Sequence, residues 1–520
     1  MNNANSITPE YSLKEKLLST TAVLIYLSFF KLILLIIFSG NYGLFRDEYY
    51  YIEVSKHLDW GYVDMQPLSA LFLALSRVIF GDSIFGIKIF SYLSGSAIVF
   101  VSGLIAREMK AGRFAQIFTA VVVIFSGVIL GASSYFSMNS FDILLSALMF
   151  YYLIRLLNSG NAKLWLVIGL LFGLGLQNKL TFVFLGFGLV VGLILTKNRK
   201  YLKSKEIWIG AAIAFLIFLP NIIWQIANNY PTLEFMHNAS AYKNRPMGLT
   251  EFFIKSLFEL NPGYTLFLFT GLYFLFFNRD GKTYSIIGWI YISVFLVFVF
   301  NNGKPYYMGV LFPVILAAGV IGADYLIQRY LRPFVRIILV ILVIPFFFIV
   351  TPFAIPVLPV ESFISLEKAM GMKPVNEERS ELGWLPQFYA DRFGWEEMVQ
   401  QVAEVYNKLP AKEKKEALIF GQNYGEAGAV NFYRKKYNLP QAISAHNDYW
   451  IWGYPQDFKG DVLIVIGSNY KDNSEYFEDV KLAASHSSKY GMPFENVDIF
   501  VCKKSKMPMK GIWQRIKFFI

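Results

Sequence analysis

A few polar side chains in a very apolar chain carry the chemistry worth weighing. Phe45-Arg46-Asp47-Glu48-Tyr49-Tyr50-Tyr51 sets two adjacent carboxylates just past the first long apolar segment. Such a pair costs too much to bury in hydrocarbon, so it belongs at a wet or protein-lined surface. A carboxylate there accepts a proton from an attacking hydroxyl or holds a metal ion. A plainer role fits the same residues, capping an interfacial helix. Further along stand Asn139 and Asp142, then Lys179, then Lys304 with Tyr306 and Tyr307. Each has its own structural reading. Lys179 can snorkel, Asp142 can cap a helix, and the two tyrosines can belong to an aromatic belt.

The elements that must position these groups are membrane spans. The chain has 520 residues, 55% of them hydrophobic and 18% aromatic, with a mean hydropathy of +0.44. That excludes an ordinary soluble domain. Spans of about 20 apolar residues are expected near 17–39, 84–105, 114–132, 140–157, 163–178, 180–196, 207–226, 262–278, 284–300, 307–328 and 335–354. Basic gaps test this count of eleven. Arg107, Lys110 and Arg113 follow the second span, and Arg155 and Lys163 flank the gap after the fourth. Lys197 to Lys205 follow the sixth, Arg279 and Lys282 the eighth, and Arg329, Arg332 and Arg336 the tenth. Even-numbered spans thus end on basic gaps, as a cytoplasmic N-terminus requires. The polar residues 1–16, with Lys14 and Lys16, agree. Residues from 355 onward then lie outside the cytoplasm, and no cleavable signal peptide is expected.

The net charge of +11 is explained by those gaps, which excludes a nucleic-acid partner. Cys502 stands alone, so no internal disulfide forms, and the four histidines have no zinc spacing.

The longer loops fall on the outer face. Residues 40–83 form the first, with a helix expected over Asp47–Trp60, an aromatic turn at 60–67, and an interfacial helix over Leu68–Phe80. A second loop covers 227–261. After the Pro-rich connector 352–359 the composition turns to that of a soluble α/β module, residues 355–520. Strands are expected at 417–420, 461–467 and 498–502, with helices at 395–408 and 427–436. The loop 421–428 carries glycines after a strand but no G-x-G-x-x-G, so a turn is favoured over a phosphate cradle.

By this topology Asp47, Glu48, Asp142, Lys179, Lys304, Tyr306 and Tyr307 all reach one face at one depth. Lysines and tyrosine hydroxyls there can hold a lipid-linked phosphate while a carboxylate deprotonates an acceptor. The lipid tail would stay between the spans.

The arrangement resembles the GT-C superfamily of polyprenyl-phosphate-sugar glycosyltransferases. Within it the chain is similar to the bacterial family 39 type, related to protein O-mannosyltransferases and aminoarabinose transferases. The matching pieces are Arg46-Asp47-Glu48-Tyr49-Tyr50, His57-Leu58-Asp59-Trp60-Gly61-Tyr62 with Asp64 and Pro67, Tyr135 to Asp142, and Gly173 to Lys179. Pro231 to Phe235, Gly303 to Tyr307 and Asn423 to Gly428 complete them.

The resemblance implies an α-helical polytopic fold with a C-terminal extracytoplasmic α/β domain, in a bacterial inner membrane. It implies a polyprenyl-phosphate-sugar donor, an extracytoplasmic acceptor and contact with membrane lipid. Asp47 would be the general base. Glu48 would support it or bind a divalent metal ion. Asp142 is a second acidic position, while Lys179, Lys304, Tyr306 and Tyr307 lie near the donor. Arg46, Tyr62 and Asp64 join them as substrate-binding positions. Gln66 before Pro67 and Asn178 before Lys179 depart from the relatives' usual Pro and Thr, which leaves the sugar open. A transporter or flippase of lipid-linked glycans is the rival from another class. Such proteins often show two related halves, and no internal repeat is seen here. An envelope scaffold is a third reading.

Overall fold

The structure is a computed structural model that describes residues 13–243, 245–374, 379 and 381–520. Residues 1–12, on which the N-terminal placement partly rests, lie outside the described residues. Among these residues, seven helices are long and apolar enough to cross a membrane: Thr20–Phe38, Ile84–Glu108, Met138–Ser159, Lys205–Ala227, Gly281–Phe300, Pro305–Tyr330 and Val335–Ala354. Two further pairs, Thr181–Leu195 with Lys197–Lys203 and Leu249–Leu260 with Pro262–Phe277, are sharply bent and make up to nine crossings. All eleven predicted segments are helical. Those at 114–132 and 163–178, however, become the short helices Arg113–Ile124 with Gly127–Ala132 and Leu164–Leu176. Hydropathy alone reads an apolar stretch without showing where the helix breaks.

Glycines let these helices approach closely, as apolar bundles require. A Cβ at Gly169 would sit 2.1 Å from the Gly210 carbonyl oxygen, and one at Gly319 would sit 2.1 Å from that of Phe267.

The first outer loop folds into two helices. Arg46–Val54 is shorter than the predicted 47–60. Its chain turns at Ser55, and Leu58 and Trp60 are exposed. Pro67–Phe80 matches its prediction, with Pro67 opening the helix.

The C-terminal part carries one mixed five-stranded sheet: β1 (Ala417–Gly421), β2 (Ala442–Ser444), β3 (Val462–Ile466), β4 (Phe477–Ser485) and β5 (Asp498–Ser505), in the order β2-β1-β3-β5-β4. β1 pairs parallel with β2 and β3, while β5 runs antiparallel to β3 and β4. β2 and β4 were not expected from the sequence. β2 has three residues, and β4 is mostly exposed, so neither carries an apolar run. Trp513 and Phe519 are buried, so the C-terminal segment docks on this domain.

The core does not stop at residue 354. Tyr49, Tyr50, Ile52 and Val54 pack in one cluster with Trp395, Val399, Ile419 and Ile464. The seam depends on two glycines of the helix Tyr424–Tyr437. A Cβ at Gly425 would meet Arg46 Cγ at 2.6 Å, and one at Gly428 would meet the Tyr49 carbonyl carbon at 2.9 Å. The connector is laced back as well. Asn41 Nδ2 donates to Pro356 O (2.8 Å) and Tyr42 Oη to Leu358 O (2.7 Å).

Candidate active site

The two carboxylates of the opening motif have different fates. Glu48 is fully buried. Its Oε2 accepts from the Phe45 N–H at 2.7 Å, its Oε1 accepts from the Phe136 N–H at 2.7 Å, and Lys88 Nζ lies 3.4 Å from Oε2. The capping role weighed for both residues thus falls to Glu48, which pins the helix start to the bundle. Lys88, wholly buried, also donates to the carbonyls of Ser39 and Gly43. Both Glu48 oxygens already serve protein donors. Among the described residues no group of three or more His, Cys, Asp or Glu side chains is placed to hold a metal ion. The residues present do not fit the divalent ion considered for Glu48.

Asp47 is left partly open, with its side chain 27% exposed. Tyr424 of the C-terminal domain donates to Asp47 Oδ1 at 2.9 Å, and Arg46 Nε lies 3.6 Å from the same oxygen. The Arg46 guanidinium also lies over the Tyr424 ring at 5.5 Å and approaches Asp391 and Glu495 at 3.9 Å. Asp47 therefore sits in a frame built from both halves of the molecule.

A polar chain leads from there into the bundle. The Phe45 and Tyr135 rings lie 5.1 Å apart, and Asp47 is near enough to Tyr135 for its charge to act on that phenol. Asn139 Nδ2 donates to Tyr135 Oη (3.1 Å), and Lys179 Nζ donates to Asn139 Oδ1 (2.6 Å). The Lys179 ammonium lies 4.4 Å from the Tyr307 ring centre and 5.3 Å from that of Tyr306. Lys304 immediately precedes that short helix, Pro305–Leu311.

Asp142 is buried one turn into its helix, whose N-cap is Ser137, so it is not the cap. Thr181 Oγ1 donates to its Oδ2 at 2.5 Å, while Oδ1 has no protein partner. Lys179 is close enough for the two charges to act on each other. The buried Asn178 holds Met138 O at 2.9 Å, tying the start of this helix to the Lys179 loop.

Tyr62 and Asp64 organise the first outer loop, and the charge of Asp47 acts on Asp64. Tyr62 Oη accepts from the Asp59 N–H (3.0 Å) and donates to His57 O (3.1 Å). Tyr50 Oη lies 2.8 Å from Asp64 Oδ1 and in contact with Asp448 Oδ2. Asp448 also takes the Val63 N–H, and Asp64 takes Asn447 Nδ2. One hydroxyl proton cannot serve two carboxylates, so the trio retains a second proton. Burial pushes the Asp64 carboxyl up to about 6, with Tyr50 opposing. Burial, then the charge of Asp64, also raises the Asp448 carboxyl well above its ordinary value. One of the two carboxyls keeps that proton, so the Tyr50 hydroxyl donates to one of them and accepts from the other.

Asn139 was marked in the sequence as a membrane-edge polar residue beside Asp142, whereas Tyr424, Tyr50 and Asp448 were given no role there. Tyr424 lay inside the quoted Asn423–Gly428 motif. Asn423 and Glu426 form a capping box there, which the N-x-x-E spacing encodes.

Residues 64–224 match the family described as dolichyl-phosphate-mannose-protein mannosyltransferase. The chain is 22% identical over 257 residues to lipid A galacturonosyltransferase RgtD of Rhizobium johnstonii, covering 49% of this chain and 54% of that protein. It is 23% identical over 156 residues to an undecaprenyl phosphate-alpha-4-amino-4-deoxy-L-arabinose arabinosyl transferase of Pseudomonas savastanoi, covering 27% and 29%. The matches therefore span about half, and under a third, of those relatives' lengths. Among solved structures, ArnT from Cupriavidus metallidurans bound to undecaprenyl phosphate superposes with a TM-score of 0.58 at 14% identity, covering 94% of this chain and 98% of that one. An Archaeoglobus fulgidus oligosaccharyltransferase gives 0.53 at 11% identity, covering 79% and 63%. The chain thus has the fold of ArnT, and the GT-C resemblance drawn from its motifs is borne out by that fold, by the family match and by both relatives.

Proposed function

We propose that the protein is a membrane glycosyltransferase that moves a sugar from a polyprenyl-phosphate donor to an extracytoplasmic acceptor. The observation that carries this reading is the hydrogen-bonded line from Tyr135 through Asn139 to Lys179 and its two tyrosines, with Asp47 near enough for its charge to act on Tyr135. A base stands at one end and a cation ringed by phenols at the other. The likeness to relatives that act on lipid A and on undecaprenyl-phosphate-linked sugar supports it.

In the reaction Asp47 takes the acceptor proton as the acceptor oxygen or nitrogen attacks the anomeric carbon. The bond from that carbon to the phosphate oxygen breaks, and polyprenyl phosphate leaves. Lys179, steadied by Asn139 and over Tyr306 and Tyr307, meets the phosphate charge as it grows. Tyr424 and Arg46 orient Asp47 from the other side. Glu48 acts through the helix it pins. The basic gaps favour a cytoplasmic N-terminus with the C-terminal domain outside, in a bacterial inner membrane.

The test is transfer in proteoliposomes, followed as release of polyprenyl phosphate from a labelled donor. Asp47→Asn is expected to lose about a hundredfold or more, the lower range for general base catalysis. Full activity in that variant would remove the assignment. Uptake of intact donor across the bilayer without release would instead favour the flippase reading.

A further inference from the structure

The transfer reading leaves one basic side chain inside the bundle unused. Of the span Thr20–Phe38 only Leu24, Lys31 and Leu35 are buried, and their spacing puts them on one helical face. Lys31 has no exposed surface. It sits about 10 Å inside the end of the span that leads to the first outer loop. An ionisable side chain at that depth is costly, and one that persists marks a functional position. Lys31 Nζ donates to the Ile129 main-chain oxygen at 3.4 Å, and among the described residues no carboxylate forms an ion pair with it. One turn on, Leu35 packs with Leu130. The buried face of the first span is thus seated on the short helix Gly127–Ala132.

That helix has six residues, too few to hold a place of its own. The chain breaks just before it, where Asn261 Nδ2 donates to Phe125 O (3.0 Å). It ends at Ser133, whose N–H turns to Gly131 O. The Ile129 oxygen is served instead by two side chains, Lys31 and Ser133, whose Oγ donates at 2.5 Å. Gly95 makes the room, since a Cβ there would sit 2.3 Å from that hydroxyl. Ser134 Oγ closes on Gly131 O (2.8 Å). The next two residues belong to the site. Tyr135 takes Asn139 and lies near Asp47, and the Phe136 N–H holds Glu48.

We infer that Lys31 is a positioning residue for transfer. From inside the bundle it fixes the last turn of Gly127–Ala132 and, through Ser133, the place of Tyr135 between Asp47 and Asn139. The inference rests on the glycosyl-transfer reading above.

Transfer kinetics and thermal unfolding are measured in proteoliposomes for Lys31→Met, Ser133→Ala and the double variant, beside wild type and Asp47→Asn. In a second set Tyr135 is replaced by fluorotyrosine, and its fluorine resonance is recorded with Lys31 and with Lys31→Met. Lys31→Met keeps the length of the side chain and removes both the donor and the buried charge. It should melt no lower than wild type yet lose about tenfold in kcat, the worth of one charge-assisted hydrogen bond, with both KM values unchanged. The Tyr135 resonance should move. Ser133→Ala, which takes the other donor from the same oxygen, should also lower kcat, and the double variant should lose more than the product of the two. Wild-type kcat in Lys31→Met would overturn the inference. So would a kcat loss that comes with a lower melting temperature, or an unmoved Tyr135 resonance. If Lys31→Met does not insert, Ser133→Ala with wild-type kcat overturns it equally. Full transfer by Asp47→Asn would remove the role of Asp47 instead, and the Tyr135 resonance would still decide the role of Lys31.

Discussion

Tyr424 of the C-terminal domain donates a 2.9 Å hydrogen bond to Asp47 of the first outer helix. Two residues 377 positions apart thus share one proton contact, and the proposed base is complete only when the domain is docked. Tyr424→Phe should cut transfer about tenfold and cost about 1 kcal/mol of stability, the worth of one hydrogen bond. Steady-state release of polyprenyl phosphate and thermal unfolding measure the two effects.

The docking itself hangs on Gly428, whose missing Cβ leaves room for the Tyr49 backbone. Gly428→Ala should force the helices apart at a cost of about 1–3 kcal/mol. Limited proteolysis should then release the C-terminal domain sooner than in wild type, and transfer should fall with it.

Glu48 and Asp47 should separate cleanly by stability. Glu48→Gln leaves Lys88 buried without its carboxylate and should destabilise by about 3–5 kcal/mol. Asp47→Asn, at a half-open position, should melt close to wild type while losing transfer. Comparable melting of both variants would contradict the roles assigned here.

Docking should also depend on pH. Asp64 is raised to about 6 and Asp448 is raised as well, chiefly by burial, so the folded state holds more protons than the unfolded one above pH 4 or so. Stability from this pair is greatest below the ordinary carboxylate range. It falls as pH rises from the ordinary carboxylate range through about 6, where Asp64 releases its proton, and Asp448 acts in the same direction. The buried neutral His446, lowered to about 3 by burial, works in the opposite direction below its ordinary value. Comparing variants isolates the pair. Asp448→Asn, which mimics the protonated acid, should gain stability over wild type increasingly from pH 5 to pH 8. A constant difference across that range would remove the shared proton.

Lys179→Ala should raise the donor KM about tenfold or more, the loss of a charge-assisted hydrogen bond, with little change in acceptor KM. Equal losses for both substrates would count against a phosphate role.

Much of this was legible in the chain. The apolar segments marked a helix in each expected span, though those at 114–132 and 163–178 are broken or short, and the D-E pair marked the helix that both halves pack around. β1, β3 and β5 were visible because each carries an apolar run. What stayed hidden depends on contacts distant in sequence. Nothing local distinguishes Asp47 from Glu48, and only the donors of Phe45, Phe136 and Lys88 make one an anchor. Lys88 sits inside an apolar segment and was read as part of a span. Asp448 and Tyr50 have no pattern of their own, and they become a unit only where the loop and the sheet meet.

The central claim is that Tyr424 acts on the reaction through Asp47. A double-mutant cycle on transfer by wild type, Asp47→Asn, Tyr424→Phe and the double variant tests it most directly. The account predicts that the double variant is no slower than Asp47→Asn alone, since the tyrosine has nothing left to orient. Losses that multiply, or full transfer by Asp47→Asn, would contradict it.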